Sequence, residues 1–218
     1  TLWDLSRQYK VGVRSLASWN GMAPGDTLRV NVVAIGRDAE PHASEALTLV
    51  RPATPLPVAL YVTSPDGFAI DWLLVATGWL HDADHQPEKT FRSLNADHLM
   101  HAYLVNAIGP ALLIKHLIPR LNLRAGCRVG VLSARVGSIS DNRLGGWHAY
   151  RASKAALNMF TRTLANELKP EGFTCLTIHP GWVQTDMGGA NAALTPEESI
   201  TGMRKVIAER SPEDTGTY

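Results

Sequence analysis

The stretch Trp147-His148-Ala149-Tyr150-Arg151-Ala152-Ser153-Lys154-Ala155-Ala156-Leu157-Asn158 sets a tyrosine and a lysine four residues apart. Leu157, Phe160, Leu164 and Leu168 follow it at three- and four-residue steps, which predicts one amphipathic helix that stops before Pro170 and Gly172. Tyr150 and Lys154 then fall in its first turns on a shared face, where their polar ends can address one bound molecule. A phenol with an ordinary pKa of about 10 is a reluctant acid or base at neutral pH, and a neighbouring ammonium favours the phenolate. Taken alone, the spacing equally describes a surface tyrosine beside a solvated lysine. The flanking segments decide between the two.

Short apolar runs alternate with helical patterns on both sides of this helix, the order that generates a parallel sheet with helices on its faces. Strands are predicted at 29–35, ending at Gly36-Arg37, and at 71–76, 128–132 and 174–178. Between the second and third, Leu99, Met100, Tyr103, Leu104, Ala107, Ala111, Ile114 and Leu117 mark a long amphipathic helix. Gly109-Pro110 should bend it. Residues 51–57 hold three prolines and read as an irregular linker. The class is α/β.

A chain of 218 residues with 45% hydrophobic and 19% charged side chains can bury one substantial core. Lys and Arg total 21 against 20 for Asp and Glu, so no net field recruits nucleic acid or an acidic membrane surface. The most apolar run, 69–80, is interrupted by Asp71 and is shorter than the roughly 20 residues a bilayer span needs. No signal-peptide pattern opens the sequence at Thr1. Cys127 and Cys175 form neither a disulfide framework nor a metal motif, which fits a reducing, cytoplasmic setting. His81, His85, His98 and His101 lack a matched partner cluster, so they are expected to be solvated side chains and no metal site is expected.

The segment from Ser133-Ala134-Arg135-Val136-Gly137-Ser138 through Tyr150 and Lys154 to Asn158 closely resembles the short-chain dehydrogenase/reductase family, nearest its branch of C-factor and sniffer-type carbonyl reductases. Further likenesses follow in order. Val75-Ala76-Thr77-Gly78 resembles the family's Asn-Asn-Ala-Gly strand end, Val105-Asn106 with Gly109-Pro110 resembles its helix asparagine, and His179-Pro180-Gly181 to Thr185-Asp186-Met187 resembles its Pro-Gly segment.

This resemblance implies a doubly wound, Rossmann-like parallel sheet and a nicotinamide-dependent reaction on a carbonyl or secondary alcohol. Tyr150 would pass the proton, Lys154 would hold the nicotinamide ribose, and Asn106 would hold a water in the proton relay. Ala76, Gly78, Pro180, Gly181 and Thr185 would line the cofactor pocket. The serine that normally orients the substrate carbonyl aligns with Ala134. Ser133 and Ser138 are the candidates to replace it, with Ser138 preferred because strand alternation turns Ser133 away. Arg37 stands where the family reads the adenosine ribose and suits a 2′-phosphate, which favours NADP over NAD. Trp79, Trp147 and Trp182 are candidates to wall an apolar pocket. Self-association as a homodimer or homotetramer is implied as well.

The family's glycine-rich turn between first strand and first helix is absent from the sequence. Gly21-Met22-Ala23-Pro24-Gly25 lacks the third glycine and leads into a strand, not a helix. Residues 1–30 instead resemble a LysM module, a small glycan-binding fold, through Leu2-Trp3-Asp4-Leu5-Ser6, Tyr9, Val13, Leu16, Trp19-Asn20-Gly21 and Thr27-Leu28-Arg29-Val30. The domains expected are therefore a LysM-like fragment, 1–30, and a short-chain reductase domain, 31–218, without its first and last strands. The missing first strand belongs between the one ending at Arg37 and the one ending at Gly78. Neighbouring strands sit about 4.8 Å apart, so that gap must close or be filled. Two rival expectations stand beside it: a glycan-binding protein carrying an inert reductase remnant, and a pseudoenzyme or misjoined fragment of oxidoreductase ancestry whose cofactor grip is lost.

Overall fold

A computed structural model describes residues 32–35, 48–50, 59–61, 70–82, 85–119 and 123–218. The LysM-like segment 1–30, the linker 51–57 and Arg37 lie outside them. Four strands form the main sheet in the order β1 (Val32–Ile35), β4 (Ile70–Val75), β5 (Leu123–Leu132) and β6 (Thr174–Ile178). The pair β4–β5 and the pair β5–β6 are parallel, with Val75 opposite Val131 and Leu132 opposite Ile178. A separate antiparallel pair joins β2 (Thr48–Val50) to β3 (Ala59–Tyr61). The sequence reading had no strands at those two positions.

The place expected for the absent first strand is closed by direct pairing of β1 with β4, but the pairing is antiparallel: Val32 lies opposite Val75 and Ile35 opposite Trp72. A parallel neighbour was expected for 29–35. An apolar run reports that a strand exists and is buried, not which way it points, so the pattern could not supply the direction. β1 ends beside the N-terminal half of β4, with Ile35 opposite Trp72, away from Val75 and the strand end that carries Gly78. An antiparallel edge strand on an otherwise parallel sheet is common in α/β folds.

Helices lie on both sides of the sheet. On one face, Leu73, Val75, Val129, Val131, Cys127 and Cys175 pack with Leu113, Ile114 and Leu117 of α2 (Gly109–Leu117) and with Leu157 and Ala165 of α3 (His148–Leu168). Both cysteines are buried, free thiols. On the other face, Leu176 and Ile178 pack with Ile207 of α4 (Pro196–Glu209), and Trp72, Leu74, Leu132 and Met203 border them. Each fully buried leucine of this kind contributes about 2 kcal/mol. Beyond α4, Thr217 makes a parallel bridge to Leu176 at the outer edge of β6. No helix among the described residues is long and apolar enough to cross a membrane.

The long helix predicted between the second and third strands is α1 (Ala96–Tyr103) continuing through a π turn, Leu104–Ile108, into α2. The irregularity therefore sits just ahead of Gly109-Pro110. Pro110 has no amide to donate into the preceding turn, so the helix widens there, and Asn106 lies at the middle of the widened turn.

Candidate active site

The carboxyl ends of the three parallel strands converge, as they do where open α/β sheets bind ligands. β4 ends into Ala76-Thr77-Gly78-Trp79, β5 into Ser133-Ala134, and β6 into His179-Pro180-Gly181. The start of α3 faces this edge. Lys154 is 2% exposed, and its Nζ donates to the Leu132 carbonyl at 2.9 Å and the Thr77 carbonyl at 3.4 Å. One ammonium thus bridges the ends of β4 and β5. A Cβ placed on Gly78 would sit 3.4 Å from the same Nζ, which puts Gly78 beside the lysine head. Gly137 allows the approach from the other side: its Cβ would lie 2.8 Å from Lys154 Cβ, so any larger residue would push the turn off α3.

Tyr150 stands four residues before Lys154 on α3, with Lys154 Nζ 5.9 Å from its ring centroid. Burial pushes the Tyr150 phenol up to about 12 and the Lys154 ammonium down to about 8. The sequence reading expected the ammonium to draw the tyrosine toward neutrality. Both groups are instead governed by desolvation, which disfavours the charged form of each.

Asn106 is fully buried, and its side chain is committed to protein partners. Its Oδ1 accepts from Trp79 N at 2.6 Å, and its Nδ2 donates to Trp79 O at 2.8 Å and to Ser153 Oγ at 3.0 Å. Ser153 Oγ in turn donates to the Tyr150 carbonyl at 2.9 Å. The π turn, the end of β4 and the first turns of α3 are therefore tied through one amide.

The two serine candidates are held differently. Ser133 is buried, with its hydroxyl donating to Asn158 Oδ1 at 2.6 Å, while Asn158 Nδ2 donates to the Gly137 carbonyl at 3.3 Å. Ser138 is half-buried and more loosely engaged, 3.4 Å from Ser140 Oγ and 3.3 Å from the Asp141 amide. It lines a cleft of about 260 Å³ bordered by His148, Arg151 and Ala155, which lie off the face shared by Tyr150 and Lys154. Ala134, at the family's serine position, is buried.

The segment after β6 is pinned at both ends. Ser199 Oγ donates to the Pro180 carbonyl at 2.7 Å, and the exposed Thr185 accepts from Gly188 N at 3.1 Å. Gly181 adopts φ 87°, packed so closely on Leu194 that a Cβ would lie 2.4 Å from its Cδ1. His179, Pro180, Gly181, Leu194 and Tyr218 border a cleft of about 440 Å³.

The tryptophans divide. Trp147 meets the Tyr150 ring edge-on at 6.5 Å, Trp182 donates to the Gly188 carbonyl at 2.8 Å, and Trp79 packs against three imidazoles. Those are His85, His98 and His101, with ring centroids 5.9, 5.0 and 4.5 Å away. The expectation of solvated histidines fails for His98, which is 7% exposed. Its burial follows from α1 packing its first turn onto the indole, a tertiary contact with no mark in the local pattern.

Four residues around this edge were missed by sequence reasoning. Ser153 was legible in principle, since it lies three residues after Tyr150 and one before Lys154. Asn158 repeats the Lys154 spacing one turn on. Tyr218 shares the cleft, its phenol pushed up to about 12 by burial and then by the Tyr150 phenol. Glu88 lies in a loop with no periodicity and carried no signal.

The family model described as short chain dehydrogenase matches residues 68–194, and the LysM domain model matches 1–32. The C-signal protein of Myxococcus xanthus is 45% identical over 116 residues, covering 53% of this chain and 70% of that protein. Carbonyl reductase Sniffer of D. melanogaster superposes with a TM-score of 0.61 at 28% identity, over 67% of this chain and 62% of that one. A short-chain dehydrogenase/reductase from Burkholderia multivorans with bound NADP gives a TM-score of 0.61 at 31% identity, over the same 67% and 62%. The chain thus spans less than two thirds of the length of these two solved relatives. With the strand ends, the π-turn asparagine and the tyrosine–lysine helix all falling within the matched region, the chain belongs to the short chain dehydrogenase family.

Proposed function

We propose that this protein reduces a carbonyl compound, or oxidises the matching secondary alcohol, with NADP(H). The observation that carries the reading is the joint placement of Tyr150 and Lys154 on one face of α3, with the buried ammonium at the carboxyl ends of β4 and β5. The NADP bound to the Burkholderia multivorans relative supports the choice of cofactor.

The residues present fit the nicotinamide-ribose end of such a cofactor. Lys154 offers a charged donor beside Gly78, with the Met187 methyl 3.9 Å from where a Gly78 Cβ would stand, and Pro180-Gly181 is held against Leu194 by the left-handed turn that only glycine adopts freely. When bound, the cofactor supplies the hydride. Tyr150, protonated at neutral pH because its phenol is raised to about 12, is in the form required of a general acid. Its O–H donates to the carbonyl oxygen as that oxygen gains charge, leaving an alcohol. Lys154, close to the ring, stabilises the phenolate left behind. Asn106 fixes the end of β4 against α3 and keeps the widened turn beside the relay. Of the two hydroxyls, Ser138 is the freer, its contacts being long, whereas Ser133 is held by Asn158 at 2.6 Å; Ser138 answers the substrate oxygen only if the substrate reaches from the Tyr150–Lys154 face to the edge of the neighbouring cleft. The 2′-phosphate contact expected of Arg37 rested on a parallel first strand and is not carried into the proposal, since β1 pairs antiparallel with β4.

Titration of NADPH followed by its fluorescence tests the reading. Saturable binding in the micromolar range is expected, and no binding at high-micromolar protein would sink it. A second reading, supported by the LysM match over 1–32, gives the N-terminal segment a hold on N-acetylglucosamine polymers. Retention on insoluble chitin or peptidoglycan, lost when residues 1–30 are deleted, would establish it.

A further inference from the structure

Helices α1 and α4 carry their own caps. Asn95 Oδ1 accepts from His98 N at 3.0 Å, and Thr195 with Glu198 closes a capping box. Helix α3, which bears Tyr150, has no such device. Its N-cap is Trp147, whose side chain makes no capping bond, and tryptophan has no oxygen with which to make one.

The missing acceptor comes from a residue 61 positions earlier in the chain. Glu88 Oε2 accepts from Ala149 N at 3.4 Å, and the Glu88 carbonyl accepts from Trp147 N at 2.6 Å. The backbone is shaped to receive it. Gly146 and Trp147 both lie in the left-handed region, at φ 78° and 55°. A Cβ on Gly146 would sit 3.0 Å from the Glu88 carbonyl oxygen and 3.2 Å from that of Lys89, so the turn is pressed against this loop.

Glu88 itself is 4% exposed. Its second oxygen, Oε1, is buried without a hydrogen-bond partner among the described residues, 3.8 Å from His98 Nδ1. Withdrawing a carboxylate from water is unfavourable unless local donors answer it. The unpaired amides at a helix start are such donors, and the positive end of the helix dipole adds to them.

We propose that Glu88 is a positioning residue for Tyr150: its carboxylate and carbonyl together fix the first turn of α3, and Tyr150 follows Ala149 directly. The loop between β4 and α1 thereby sets the aim of the phenol without touching substrate or cofactor. The activity arm of its test rests on the proposed reductase reading, and the exchange arm does not.

The experiment compares wild type, Glu88→Gln and Glu88→Ala by amide hydrogen exchange and by NADPH-dependent turnover of a generic carbonyl substrate. In Glu88→Ala, exchange at 147–150 should accelerate about tenfold while 157–168 stays at the wild-type rate. Turnover should fall about tenfold in kcat with KM changed by less than about twofold, because the phenol is misaimed rather than the pocket lost. Glu88→Gln, whose amide oxygen still accepts from Ala149, should restore both. The proposal is overturned if exchange at 147–150 is unchanged in Glu88→Ala, if protection is lost evenly along α3, or if Glu88→Gln is as impaired as Glu88→Ala. Should wild type show no turnover, the reductase reading fails and the exchange arm alone judges Glu88. Should Glu88→Ala not fold, Glu88→Asp replaces it: faster exchange confined to 147–150 supports the role, and wild-type exchange there refutes it.

Discussion

Asn106 in the π turn donates to Ser153 in α3 at 3.0 Å, and Ser153 donates onward to the carbonyl of Tyr150 at 2.9 Å. Through this short relay the helix before β5 is hydrogen-bonded to the backbone that carries the phenol. Replacing Asn106 with Ala strands the amide and carbonyl of Trp79 and removes the donor to the Ser153 hydroxyl. A loss of about 2–4 kcal/mol in urea unfolding is expected. Ser153→Ala removes both bonds of the relay and should cost about 2 kcal/mol.

Lys154 makes stability depend on pH. Its folded pKa is lowered from 10.5 to about 8 by burial, so between those values the unfolded chain binds the proton that the folded chain has released. Stability from this group therefore rises with pH from about 8 to 10.5 and is lowest at neutral pH, where the ammonium is held charged and partly desolvated. The full shift corresponds to about 3 kcal/mol, as an upper bound. Lys154→Met should flatten the rise, as read from unfolding midpoints at pH 7, 8.5 and 9.5. An unchanged slope would show that the lysine is better solvated than its burial implies.

Tyr150→Phe keeps the ring and deletes only the hydroxyl that carries the proton. Turnover should drop by about 100- to 10,000-fold, with NADPH affinity within about threefold of wild type. Loss of cofactor binding in parallel would give the tyrosine a structural role instead.

The hydroxyl question resolves through three variants. Ser138→Ala should lower kcat about 100-fold if that side chain answers the developing oxyanion. Ser133→Ala should cost about 1 kcal/mol of stability through Asn158 and leave kcat within about threefold. Ala134→Ser, which restores the family's residue, should raise kcat. Wild-type kinetics in Ser138→Ala would remove it from the reaction.

Much of this architecture was open to inspection in the residue pattern. The bounds of 174–178 match β6, the helix through Tyr150 runs as its leucine spacing demands until Pro170 and Gly172 end it, and Gly109-Pro110 marks a real irregularity. Those signals are local, each fixed by residues within a turn or two. Strand direction was hidden, because Val32–Ile35 reads the same in either orientation. The depth of His98 and the role of Glu88 were hidden for a related reason. Each is decided by a contact more than ten residues away, and a loop such as 85–90 has no period to betray it. The raised phenol of Tyr150 shows the same limit: spacing revealed its neighbour, but only packing reveals how little water reaches either group.

The lysine that fastens Leu132 to Thr77 spends two of its three N–H donors on peptide oxygens and keeps one for an incoming hydroxyl. On the proposed reading, a ribose that docks there meets an ammonium already aimed by the strand tips. A change that tightens or slackens the seam between those tips would then alter how readily the nicotinamide half is captured, even from a distance.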